Sequence, residues 1–379
     1  MHRSLGFASF LLVAACAAET TSDVDFDADL DLGVDGRAPT CTAERELTSE
    51  LLIPGWSSAR NLAAVTDPTG ATHLAYQSKV DLVETLRYAK IDAAGAVLDN
   101  QEVHASSEHR SVGRDVTIAI DSANTPHLAF IDTSVTGAPT FLHAKGGATW
   151  SFDAPLLGAN PAIAITPDGA VHLASSGARY ATDTGGNWMS TDIVLDGHRP
   201  SLAVAADGAV HAILASDDGI LHAVRQPNGF RFDVVDADVW DPEASGTQAA
   251  FDAAGRLHVV YRMGDEQRYA RLENGVWTRE KIRATGSSAT SILALADGRV
   301  VTTSIEWMSP LGFVLNISSR TPEGSWVTRN KTCGVACGDA ALVQRGDAIG
   351  VLYAEPAGLM LATFDAPDGK DNDCDGVSW

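Results

Sequence analysis

A chain of 379 residues, 45% hydrophobic and 20% charged, has an ordinary globular composition, which excludes a collagen-like, disordered or membrane-packed polypeptide. Its 49 acidic against 27 basic residues leave a formal charge of -22, a field that repels phosphate backbones and excludes nucleic acid as a partner.

The first apolar run, Leu5 to Ala15 behind Arg3, is too short to cross a bilayer and reads as a signal peptide over residues 1–15. Its end, Leu12-Val13-Ala14-Ala15-Cys16, resembles the bacterial lipobox, which implies acylation of Cys16 as the new N-terminus. Ala17 stands where an inner-membrane retention signal places Asp, so the resemblance implies an exported, outer-membrane lipoprotein. An ordinary small-residue cleavage site with Cys16 as a bystander is the alternative. Residues 16–43 then form a tether in which Asp23, Asp25, Asp27, Asp29, Asp31 and Asp35 repel one another.

Residues 44–366 are organised by an internal repeat. NLAAVTDPTGATHLAY, VTIAIDSANTPHLAF, PAIAITPDGAVHLAS, PSLAVAADGAVHAIL, TQAAFDAAGRLHVVY and SILALADGRVVTTSI share one phrase, and ALVQRGDAIGVLY is a weaker seventh copy. Anchored on His73, His127, His172, His211, His258, Val301 and Gly350, the period is about 46 residues. Each unit holds four short apolar segments split by turn signals such as Asp207-Gly208 and Asn228-Gly229, the content of a four-stranded antiparallel sheet. One such sheet cannot bury both its faces. The fold class predicted is all-β, a seven-bladed β-propeller. The last unit lacks a fourth strand after residues 358–365, and residues 44–55 are predicted to supply it.

Large aromatics open the fourth strands at Trp150, Trp188, Phe230, Trp277 and Trp326, where they fill the wider space between sheets near the rim. The repeat histidines are matched on the third strands by Tyr88, His143, Tyr180, His222 and Tyr269. In units four and five the spacing predicts His211 directly opposite His222 and His258 directly opposite Tyr269. A catalytic constellation is singular, whereas these rings recur in five blades, so they read as a structural signature.

With Cys16 acylated, four cysteines remain in an oxidising compartment, with three possible connectivities. Cys41 precedes the closing strand and Cys374 follows its neighbour, so closure favours a Cys41–Cys374 bridge and a local Cys333–Cys337 loop. In the tail, residues 367–379, Asp371, Asp373, Asp375 and Gly376 occupy the first positions of a calcium loop that lacks its closing Glu. The phrase DGKDNDCDG is similar to the metal-binding repeat of the MopE type, which implies weak, structural calcium as the one expected cofactor.

The repeated form G-x-x-H-[LV]-A-[YF], followed by [LR]-Y-A and a Trp, resembles the sialidase-like, Asp-box (BNR) propellers of secreted bacterial proteins. Asp183, Gly185 and Trp188 match the Asp box S-x-D-x-G-x-T-W, with Ala181 and Asn187 in place of Ser and Thr. In that family the box is a turn-forming element. The family's enzymes use an arginine triad for the substrate carboxylate, a Tyr nucleophile activated by Glu, and an Asp acid, on six blades. Here Arg60, Arg114 and Arg199 precede the first strands and form a candidate anion clamp. No Arg-Ile-Pro signature accompanies them, and no Tyr and Glu pair departs from the blade pattern.

Residues that break the repeat on the same face are Trp56, His109, Arg110, His198, Trp240, Asp241 and Trp307, a set suited to sugars or a protein partner. The expectation is a monomeric, cell-surface binding module without catalytic residues, its partner a carbohydrate or an envelope or extracellular protein. The alternatives are a degenerate glycoside hydrolase or lyase acting on an acidic glycan, with Arg60, Arg114 and Arg199 on the carboxylate, and a passive envelope component.

Overall fold

The computed structural model describes residues 47–54, 60–80, 83–106, 111–133, 139–147, 149–184, 186–194, 196–237, 241, 245–284, 287, 289–321, 323–334 and 338–365. All lie in one compact unit, Thr42–Trp379. Among the described residues, 28 strands form seven four-stranded antiparallel sheets, and there is no helix. The protein is a seven-bladed β-propeller.

The inner strands of blades 1 to 7 are Arg60–Thr66, Val112–Ile120, Ala162–Ile165, His198–Val204, Thr247–Phe251, Ala289–Ala294 and Ala340–Arg345. Each contacts the inner strands of its two neighbours, and the seventh returns to the first. Small residues such as Ala63, Ala64, Ala119, Ala162 and Ala203 let seven backbones converge on one axis. A hydrophobic cluster fills each of the seven blade interfaces. Between blades 7 and 1, for example, Leu352 and Leu361 meet Leu74, Tyr76 and Ile91.

The ring closes as the repeat predicts. Thr48–Pro54 is the outer strand of blade 7, antiparallel to Gly358–Asp365, with Thr48 opposite Thr363 and Pro54 opposite Gly358. Thr48 and Asp365 therefore share one face, at the far end of the blade from the start of its inner strand. The predicted positive dihedrals are present, with φ 85° at Gly208 and φ 136° at Gly229.

The fourth-strand aromatics cross to the preceding blade. Trp150 packs edge-on against Tyr88, Trp188 against His143, Phe230 against Tyr180, Trp277 against His222 and Trp326 against Tyr269, with ring centroids 5.1 to 5.5 Å apart. Each contact joins the rim of one blade to the ring pair of the blade before it, in the edge-to-face geometry that the aromatic quadrupole favours.

The direct opposition expected within blades four and five is not found. His211 faces Val224 and His222 faces Ile213; His258 faces Arg271 and Tyr269 faces Val260. Both hairpins close on two-residue turns, Ser216 pairing Gly219 and Met263 pairing Glu266. That centre sits one residue later than the spacing suggested, which slides the register by two. The rings are diagonal neighbours instead, still within side-chain reach.

Candidate functional site

The diagonal ring pairs are hydrogen-bonded and, apart from the half-buried His211, buried. His73 Nε2 lies 3.0 Å from Asp67 and its Nδ1 2.7 Å from the Tyr88 hydroxyl; His258 repeats this with Asp252 at 3.0 Å and Tyr269 at 2.7 Å. The carboxylate fixes Nε2 as the donor, so Nδ1 accepts the phenol proton. These triads look catalytic, yet His73 is 1% exposed and His258 0%. The Asp also builds its own hairpin: Asp67 Oδ1 accepts the Thr69 and Ala71 amides, and Asp252 Oδ1 those of Ala254 and Arg256. Burial alone would raise the Asp67 pKa, but hydrogen bonds from Thr69, His73 and Ala71 outweigh it and hold the carboxyl well below the usual range.

Blades 2 and 4 carry a second imidazole in place of the phenol, His127 on His143 at 3.1 Å and His211 on His222 at 2.7 Å, both stacked. Desolvation by burial lowers the pKa of all five repeat histidines and of both partners. His143, His172 and His222 are pushed down to about 4. The rings hold the blades together. Asp252→Ala is expected to leave the His258 N–H and two amides without their acceptor, destabilise by about 3 kcal/mol and lower Tm by roughly 5 °C in calorimetry.

The singular features lie on the axis. A cavity of about 460 Å³ is lined by all seven inner strands. At its mouth Asp115, Asn160, Arg199, Thr247, Ser291 and Asp339 replace the alanines that line the strands further down. Asn61, Asp115, Asn160 and Arg199 all stand 12 residues before their repeat histidine, and all four take positive φ, 60°, 53°, 50° and 45°. Left-handed backbone at a non-glycine residue is costly, and here it recurs where the inner-strand register is broken in blades 1, 2 and 4.

Hydrogen bonds from blade to blade hold this geometry. The Asp115 amide donates to Asn61 Oδ1 at 2.9 Å; the Arg199 amide donates to Ser176 Oγ at 3.0 Å, and Ser176 donates to Asn160 Oδ1 at 2.9 Å. Thr247 Oγ1 donates to the Arg199 carbonyl at 2.9 Å, and the Leu342 amide to Ser291 Oγ at 3.1 Å. Asp339 receives the Leu62 amide at 3.4 Å. Desolvation, reinforced by the neighbouring Asp115 carboxylate, pushes the Asp339 pKa up to about 7 against the pull of the Leu62 and Ala340 amides. The mouth thus sets two carboxylates on blades 2 and 7 against a guanidinium on blade 4.

The candidate arginines do not share one environment. Arg199 lines the cavity, whereas Arg114 is exposed and stands outside its lining. Arg60 and Arg114 precede their histidines by 13 residues and Arg199 by 12, so it is Asn61 and Asp115 that align with Arg199. The Arg60 side chain lies outside the described residues. His198 sits beside the cavity with Asp196 at 3.1 Å; Asp241 is exposed and its carbonyl accepts Ser245 Oγ at 2.7 Å. Trp307 is 58% exposed and packs edge-on on Phe313 near the tip of a blade 6 hairpin. Trp56, His109, Arg110 and Trp240 lie outside the described residues, as do Asp371, Asp373, Asp375, Cys16, Cys41, Cys337 and Cys374. Cys333 is buried and disulfide-bonded.

Sequence reasoning passed over Asn61, Asp115, Asn160 and Asp339. For the first three the available signal was the column 12 residues before the repeat histidine, where the residue changes from blade to blade while the phrase after it repeats. At the partial Asp-box match, Asp183 accepts the Gly186 amide at 2.6 Å between the third and fourth strands of blade 3.

No protein-family model matches the chain, and no curated protein sequence matches it. Solved structures share the fold. An ulvan lyase, described as a polysaccharide lyase of a new family, is similar at TM-score 0.55 and 11% identity, covering 83% of this chain and 95% of its own. YCF48 bound to a D1 peptide is similar at TM-score 0.53 and 14% identity, covering 87% and 98%. A Hadza microbial sialidase, Hz136, reaches TM-score 0.47 at 13% identity, covering 82% and 66%, too low to bear on the site. At these identities the likeness extends to the fold.

Proposed function

We propose that this protein is a non-catalytic binding module that takes a polar ligand, a carbohydrate or a short segment of a protein partner, in the axial cavity. The observation that carries this reading is the convergence of Asp115, Asn160 and Arg199, at positions where the repeat is broken and the backbone strained, with Asp339 on one cavity of about 460 Å³. That volume suits a small sugar or a few peptide residues. Hydroxyl, amide and charged groups around an apolar shaft suit a ligand with several hydrogen-bonding groups. Both ligand classes are named for proteins of this fold, the lyase for a polysaccharide and YCF48 for a peptide.

A second reading has its own support. Asp339, its pKa raised to about 7, beside the Asp115 carboxyl is the arrangement of a general acid and a base. On that reading the protein is a glycoside hydrolase or lyase acting on an acidic glycan, with Arg199 on the substrate carboxylate. A glycan array and co-purification, beside a panel of fluorogenic glycosides and acidic polysaccharides, separate the two. The binding module is expected to retain ligand without turnover and to lose at least 10-fold in affinity on Arg199→Ala, about 1.4 kcal/mol or more. Turnover abolished by Asp339→Asn would establish the enzyme instead. Neither binding nor turnover, beside co-purification of an envelope protein that Arg199→Ala leaves intact, would favour the passive component.

The address belongs to the same proposal. Acylation at Cys16 holds a monomer at the outer membrane, and the chain enters the ring at Thr48, on the face opposite the mouth. Mass spectrometry of the mature protein tests the acyl groups and the Cys41–Cys374 and Cys333–Cys337 pairing. Titration of the tail with calcium tests weak binding at Asp371, Asp373 and Asp375.

A further inference from the structure

Six blade interfaces bury eight or more apolar side chains each, but between blades 5 and 6 only Val260, Tyr269 and Val300 are fully buried in the cluster. Polar side chains take their place toward the mouth. On blade 5, Gln267 is two residues from Tyr269 on the same strand face and directly opposite Arg283. On blade 6, Ser304 lies directly opposite Asn316, on the face that carries Val300 and Arg320 toward blade 5. Arg283 Nη2 donates to Glu306 at 3.0 Å, which brings the two faces together above these groups.

Gln267 is 0% exposed, and Ser304 and Asn316 are 1% exposed. Among the described residues, Gln267 Nε2 and Oε1, Asn316 Nδ2 and Oδ1, Ser304 Oγ and Arg283 Nη1 have no hydrogen-bond partner within the protein. Leaving one such group bare is destabilising, and six in one seam would consume most of the stability of an ordinary domain. The corresponding level of blade 1 is satisfied: Gln77 Nε2 reaches Glu84 at 2.8 Å and the Val112 carbonyl at 2.7 Å, and Gln77 Oε1 accepts Asn61 at 2.9 Å.

We infer that the seam between blades 5 and 6 is an internal hydration site that binds at least two ordered water molecules between Gln267, Arg283, Ser304 and Asn316. Unmet donors and unmet acceptors occur together, which is the demand water meets. A small anion would satisfy the donors and leave Gln267 Oε1 and Asn316 Oδ1 bare. A buried water makes about three hydrogen bonds, so six atoms call for two molecules. The Arg283–Glu306 ion pair roofs the site on the mouth side.

A crystal structure of the full chain that resolves ordered solvent, with a second crystal soaked in bromide, decides the matter. The expected result is two or more water peaks within about 3.2 Å of these atoms and no anomalous peak between them. A dry seam in which the two amides bond each other, or a bromide peak between Gln267 and Asn316, would overturn the inference. In solution, oxygen-17 relaxation dispersion is expected to count at least two fewer long-lived waters for the Gln267→Met, Asn316→Met double variant than for the parent chain. An unchanged count in a folded variant would contradict it. The crystal result stands by itself should that variant fail to fold.

Discussion

Between neutral pH and about pH 4.5 the propeller is expected to lose about 5 kcal/mol of stability, with a fall in Tm on the order of 10 °C. Burial lowers the folded-state pKa of His143, His172 and His222 from 6.5 to about 4, so the folded ring keeps them neutral while the unfolded chain takes up protons. The contribution is complete above about pH 6.5 and drains away as pH falls toward about 4, because in that window the unfolded state binds more protons. The carboxylates of Asp67 and Asp252, held below their ordinary range, add a second loss at pH values under 3.8. Three blades already use Tyr where blades 2 and 4 use His, and each Tyr hydroxyl lies 2.5 to 2.7 Å from its histidine. The double variant His143→Tyr, His222→Tyr is therefore expected to fold and to flatten the pH dependence by about half. Calorimetry across this range would refute the structural reading of the rings by returning a flat profile for the parent chain.

Opening the ring is the second large effect. At Gly358, φ is +148° and an added Cβ would stand 2.1 Å from the Ile53 carbonyl oxygen, so Gly358→Val must push the outer strand of blade 7 off its neighbour. Ile53, 7% exposed, would leave the cluster between blades 7 and 1. A loss of about 4 kcal/mol or more is expected, with faster hydrogen exchange in Gly358–Asp365 and in blade 1. A chain that starts after Pro54 should expose an unpaired edge of blade 7 and aggregate. Exchange rates that rise evenly around the ring would mean that closure depends on something other than this strand.

How much of this could be read from the chain differs by level. The blade count and the closing strand were legible because seven copies of a phrase and one orphan strand leave a single way to pair, as Thr48 opposite Thr363 bears out. The diagonal placement of His211 and His222 was not, because a two-residue turn at Asp217-Asp218 and the expected four-residue turn have the same half-integer centre pattern. The mouth was half legible. Arg199 was found by its charge, but charge alone grouped it with Arg60 and Arg114, whereas its 12-residue spacing from the repeat histidine aligns it with Asn61 and Asp115. Asp339 gave no signal at all, since its environment is made by Leu62 and Asp115, some 277 and 224 positions away in the chain.

The central claim is that binding resides in the non-repeating residues at the axis and stability in the repeated rings. Titrating one ligand from the glycan or peptide panel against Arg199→Ala and His222→Tyr, with the melting curve of each variant recorded beside it, separates the two directly. The expected result is that Arg199→Ala loses at least 10-fold in affinity at nearly unchanged Tm, while His222→Tyr binds as the parent does and melts less steeply with acid. Binding abolished in folded His222→Tyr but intact in Arg199→Ala would contradict the account.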